Sequence, residues 1–113
     1  MKAITRCTDG SRFVEVKVLG IATIFGRRCF IHRPAFELDG DGFFVSEPES
    51  GFTVHRNPAK TKKAAVGLAR ATVIEAAKRW KTTPKLAMVK AIKRAMRQTK
   101  SIRKATQPKA THD

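Results

Sequence analysis

At Asn57-Pro58 the hydrophobic period of this chain changes from two to nearly four, and that change constrains the fold more than any other feature. Before it, apolar residues alternate with polar ones, as a half-buried strand requires. Phe13 to Leu19 places Val14, Val16 and Val18 on one face and Glu15 and Lys17 on the other. Gly20 and Gly26 punctuate the continuation Ile21 to Phe25. Arg28 to His32 forms a further strand, closed by Arg33-Pro34 because proline has no N–H for a ladder. Asp39-Gly40-Asp41-Gly42 is a turn by composition. Phe43 to Ser46 and Gly51 to His55 then form a hairpin across Glu47-Pro48-Glu49-Ser50-Gly51. The expectation is an antiparallel sheet of three to four strands over about residues 12–56.

Beyond the boundary the apolar residues recur at three and four. Thr61 is an N-cap for a helix over about 61–80, with Ala65, Leu68, Ala69, Thr72, Val73, Ala76 and Trp80 facing inward. Thr83, followed by Pro84 at the first helical position, starts a second helix over about 84–101. Its apolar stripe is Met88, Ala91, Ile92, Ala95, Met96, Thr99 and Ile102, and Lys90, Lys93, Arg94, Arg97 and Lys104 repeat with the same period. The polar segment containing Gln107-Pro108 reads as a disordered basic tail over 105–113. The class expected is α+β, in one domain over 1–104, with an antiparallel sheet followed by two basic helices.

Charge is divided at the same boundary. Of the net +15, residues 1–56 contribute almost nothing, with eight Lys/Arg against seven Asp/Glu. Residues 57–113 carry sixteen Lys/Arg against Glu75 and Asp113 alone. Solvated helix faces usually mix signs, so this imbalance points to a polyanionic partner. Each Lys or Arg set on a phosphate releases a condensed counterion. The expected function is non-enzymatic nucleic-acid binding, to DNA or RNA, through Lys60, Lys62, Lys63, Arg70, Lys90, Lys93, Arg94, Arg97 and Lys100. Arg27 and Arg28 extend the surface from a hairpin-like tip. Three lysines at a helix start oppose the helix dipole, which suits a site for an anion. Met88, Ile92, Ala95 and Thr99 leave room for a homodimer.

The segment Thr61-Lys62-Lys63-Ala64-Ala65-Val66-Gly67-Leu68-Ala69 after strands resembles the end of a double-stranded-RNA-binding domain. The resemblance implies phosphate contact by Lys62 and Lys63. Phe44-Val45-Ser46-Glu47 and Ser50-Gly51-Phe52 before an alanine-rich helix are similar in style to small phage and prophage proteins. That likeness implies the alternative function, a phage-encoded host-takeover or anti-defence inhibitor docking on an acidic or nucleic-acid-binding patch of a host protein. Without a long apolar run, or an h-region in Met1 to Phe13, neither a membrane partner nor secretion is expected. Two cysteines are too few for a disulfide framework, so the compartment expected is the cytoplasm, of the host if phage-encoded.

Candidates for chemistry are sparse. Cys29 and His32 have a ligand-like spacing that Cys7 and His55 would complete, but an odd separation on a strand points them to opposite faces. The expectation is a buried cysteine, a surface histidine and no metal. Asp39, Asp41, Glu47 and Glu49 read as solvated turn residues, and Phe43 interrupts the calcium-loop pattern. With no phosphate loop, nucleophile elbow or zinc-helix motif, no catalytic residues and no cofactor are expected. Phe13, Phe25, Phe30, Phe36, Phe43, Phe44 and Phe52 read chiefly as core of the strand half, with one of Phe43 and Phe44 facing outward. Trp80 reads as a core anchor.

Overall fold

The computed structural model describes residues 2–6, 13–33, 42–55 and 57–98. Six strands precede two helices: β1 (Lys2–Arg6), β2 (Phe13–Lys17), β3 (Gly20–Ile24), β4 (Arg27–His32), β5 (Phe44–Glu47), β6 (Phe52–Thr53), α1 (Lys62–Arg79) and α2 (Pro84–Gln98). Strands β3 to β6 form a four-stranded antiparallel sheet in sequence order. The fold is therefore the α+β arrangement expected, with one correction. β2 does not join that sheet but pairs with β1, from Lys2↔Lys17 to Arg6↔Phe13. β1 carries no alternation signal in the sequence, because in Lys2-Ala3-Ile4-Thr5-Arg6 the apolar residues are adjacent rather than alternating. Asp39 to Asp41, residues 99–101 of the expected second helix and the 105–113 tail lie outside the described residues.

The β3–β4 hairpin closes in two residues, Phe25 (φ 46°) and Gly26 (φ 85°). Two left-handed residues make the turn whose twist matches antiparallel strands. Gly26 takes this conformation freely, whereas Phe25 adopts it against the preference of a bulky residue. Its ring is half-buried against the core, which offsets that cost.

The β5–β6 turn is organised by Glu47. Its carboxylate accepts the Glu49 N–H at 2.9 Å and the Ser50 N–H at 3.0 Å. Glu47 is only 2% exposed, so the solvated acid expected at this turn is instead a buried turn anchor. The backbone donors compensate its desolvation. Ahead of β5, Phe43 and Ala59 exchange backbone hydrogen bonds of 2.7 and 2.9 Å, tying the strand to the segment that leads into α1. Gly42 makes this approach feasible, with φ +127° and no room for a Cβ, which would sit 2.7 Å from Pro58 Cβ.

α1 lies on β3 and β5, and α2 packs on α1 and β6. Thr61 caps α1 by accepting the Ala64 N–H at 3.0 Å. The buried line of α1 is Ala65, Ala69, Val73 and Ala77, spaced by four throughout. Leu68, expected inside, is 38% exposed, and Thr72 and Ala76 are half-buried. A ridge of fours runs obliquely along a helix, so the buried face drifts towards Ala77 and away from Leu68. Small side chains on that ridge let the helix sit close to Ile24, Cys29, Ile31 and Val45 of the sheet. Two cations fasten the same helix to the β3 side: Lys62 Nζ donates to Leu19 O at 2.8 Å and Arg70 Nη2 to Thr23 O at 3.3 Å.

α1 ends in a left-handed cap. Lys81 N–H donates to Lys78 O and Thr82 N–H to Ala77 O, with Lys81 at φ +52°. Glycine is the favoured residue in that position because a Cβ costs energy there. Lys81→Gly should therefore stabilise the fold by about 0.5–1 kcal/mol, raising the thermal midpoint by a few degrees in a melting curve. Thr83 starts α2 as expected, accepting the Leu86 N–H at 3.3 Å through its hydroxyl, with Pro84 at the first helical position.

Candidate nucleic-acid interface

α2 is divided along its length. Ala87, Met88, Ile92 and Ala95 are buried, with Ala91 and Met96 half-buried beside them. At 3.6 residues per turn, Lys93, Leu86, Arg97, Lys90 and Arg94 fall within about 100° of arc on the opposite side. All five are exposed. The face is about 20 Å long, and between Lys62 and Gln98 the sequence offers one acid, Glu75, on the other helix. Glu75 is 3.9 Å from Lys78. Among the described residues no ion pair involves Lys85, Lys90, Lys93, Arg94 or Arg97.

Two contacts set the position of this face. Lys90 Nζ lies 4.8 Å from the centre of the Trp80 ring, a cation–π contact that holds its stem against α1. Trp80 is half-buried against the core, consistent with an anchor. At the other end, Lys85 Cε lies 3.5 Å from where a Cβ on Gly26 would stand. The start of α2 is therefore beside the β3–β4 turn and its Arg27 and Arg28. Arg28 is exposed, and Arg27 is 4.0 Å from the Glu49 carboxylate.

The cations named from sequence thus separate into groups. Lys90, Lys93, Arg94 and Arg97 form one continuous surface. Lys62 and Arg70 are exposed but spend a donor on the backbone of β3. Lys60 and Lys63 are exposed at the start of α1, and Lys100 lies outside the described residues. Sequence reasoning passed over Lys85, Leu86 and Arg33. Leu86 is legible in the helical projection, because it falls well off the apolar stripe that begins at Met88. Arg33, whose guanidinium lies 4.3 Å from the Phe43 ring centre, carries no such periodic signal.

The two described histidines, His32 and His55, serve the interior. His32, expected at the surface, is 2% exposed: it ends β4 opposite Phe44 of β5, a strand whose four residues are all buried. His32, Phe44 and His55 stack, with ring centres 6.1 and 5.5 Å apart. His32 Nδ1 is 2.6 Å from Arg33 O and His55 Nδ1 is 2.8 Å from Asn57 O. A carbonyl only accepts, so both rings carry the proton on Nδ1. Nε2 of His55 then accepts the Val45 N–H, and Nε2 of His32 accepts the Ser46 hydroxyl, itself 3.1 Å from the Thr53 hydroxyl. All four ring nitrogens are engaged. Cys29 is in the core, where burial, aided by Glu47 and opposed by Arg27, pushes its thiol up to about 12. Among the described residues no three His, Cys, Asp or Glu side chains converge as metal ligands, and Cys7 is not among those residues.

Burial holds both histidines below the ordinary value of 6.5, against the smaller opposing effect of their backbone partners. The folded protein therefore binds fewer protons here than the unfolded chain. Stability should be full above about pH 6.5 and decline as pH falls towards the depressed folded values. Thermal midpoints measured between about pH 8 and pH 5 should show this fall; a flat profile would contradict neutral buried rings.

No protein-family model matches the chain, and neither a curated protein nor a solved structure matches it. Among the described residues, no helix is long and apolar enough to cross a membrane.

Proposed function

We propose that the protein binds nucleic acid without catalysing a reaction, and that the outward face of α2 is the contact surface. The observation that supports this most is the set Lys90, Lys93, Arg94 and Arg97, exposed on one arc and in no ion pair among the described residues. Four uncompensated cations along about 10 Å of helix repel one another and gain by meeting a phosphate backbone. Such binding is driven by counterion release, and the cytoplasm is the compartment proposed for it. The test is anisotropy of labelled nucleic acid over a salt series. Four phosphate contacts give a log–log slope near −3.6 on duplex DNA, or about −2.8 on a single strand. Absence of binding at low salt, or a slope near zero, would overturn the proposal.

A further inference from the structure

We infer that the preferred ligand of this face is duplex DNA, with α2 lying in the major groove; the inference rests on the nucleic-acid reading above. Shape favours a duplex groove. The cations sit on a single convex helix of about 10–12 Å diameter, and the B-form major groove, about 12 Å wide, admits a helix of that size. The A-form RNA major groove is deep and narrow and excludes it. Across the exposed arc, Lys93 and Arg94 lie at the two margins, about 100° apart, where they reach the opposite phosphate walls of a groove. Leu86 lies between them, on the side that faces the floor.

Leu86 is 58% exposed in the first turn of α2 and lies inside the cationic arc. Among the described residues it is the most exposed large apolar side chain, ahead of Ile21, Ile74 and Leu68, and the one set among the cations of α2. The major-groove floor presents an apolar group, the thymine methyl, that a leucine contacts favourably.

The placement of the aromatic rings favours a duplex over a single strand. Proteins that hold single strands stack bases on exposed aromatic rings. Among the described residues, Phe25, Phe30, Phe43, Phe52 and Trp80 are half-buried, and Phe44 is buried. The Phe43 and Trp80 rings are further covered by Arg33 and Lys90. Among the described residues the charged face offers side chains for a groove and no fully exposed ring for an unpaired base.

The test is anisotropy with three probes of one sequence, each about two helical turns long: duplex DNA, the single DNA strand and duplex RNA. Duplex DNA should bind about tenfold or more tighter than either other probe at about 0.1 M salt. Leu86→Gln, at a position too exposed to disturb folding, should weaken duplex DNA binding about fivefold and leave the other two unchanged. Equal or tighter binding of RNA or of the single strand would overturn the inference while the nucleic-acid reading stands. An unchanged duplex affinity for Leu86→Gln would remove the groove placement. Failure of all three probes to bind would overturn the nucleic-acid reading itself.

Discussion

Changing Lys93, Arg94 and Arg97 together to glutamine should nearly abolish the salt sensitivity of nucleic-acid binding while leaving the fold intact. The three side chains are exposed and in no ion pair among the described residues, so the folded state loses little by their change. If each meets one phosphate, the log–log slope on duplex DNA should become about 2.7 shallower. Between about 50 and 200 mM salt the unaltered protein, with four contacts, should lose about 150-fold in affinity, and the variant only about three- to fourfold. The loss should be uniform across sequences, because a phosphate contact carries no base information. A variant that kept the full slope would place the interface elsewhere. The first site to examine then would be the exposed lysines at the start of α1.

The largest expected effect on stability comes from the other side of the same helix. Ile92→Ala removes a fully buried side chain from the junction of α2 with the core. Large-to-small changes of this kind cost about 2–5 kcal/mol through lost transfer energy and the cavity left behind. For a domain of marginal stability, about 5–15 kcal/mol, that is a large fraction of the whole. Urea unfolding should show a lowered midpoint, while affinity at low denaturant and low temperature should hold wherever the variant remains folded. The two variants form a pair on one helix: one should change binding and spare stability, and the other should do the reverse. Substitutions at both sites that moved both properties together would mean that α2 is not divided in this way.

Much of the architecture was legible in the sequence because it rests on local chemistry. Thr61, Thr83 and Pro84 announced the helix starts, and the short apolar runs Cys29 to Ile31 and Phe43 to Val45, bounded by proline and turn residues, announced β4 and β5. The cationic arc of α2 was visible because its residues keep helical spacing while Met88, Ile92 and Ala95 occupy the opposite side. What escaped depends on tertiary contacts. Leu68 was assigned inward by spacing, but the ridge that meets the sheet is the line of fours through Ala65 and Ala77, and only packing selects it. His32 and Glu47 were placed outside by type. β5 is covered on both faces, and it encloses Glu47 and its cross-strand neighbour His32 because backbone groups stand ready to bond them. Lys62 and Arg70 counted as binding residues by charge, and only the position of β3 shows what their donors reach.

The central claim is that the outward face of α2 is where the partner sits. Backbone amide shifts followed during titration with duplex DNA test it residue by residue. The account predicts the largest changes at Leu86, Lys90, Lys93, Arg94 and Arg97, with little movement along the buried line of α1. Changes confined to β3–β6, or no changes at a saturating duplex concentration, would contradict it.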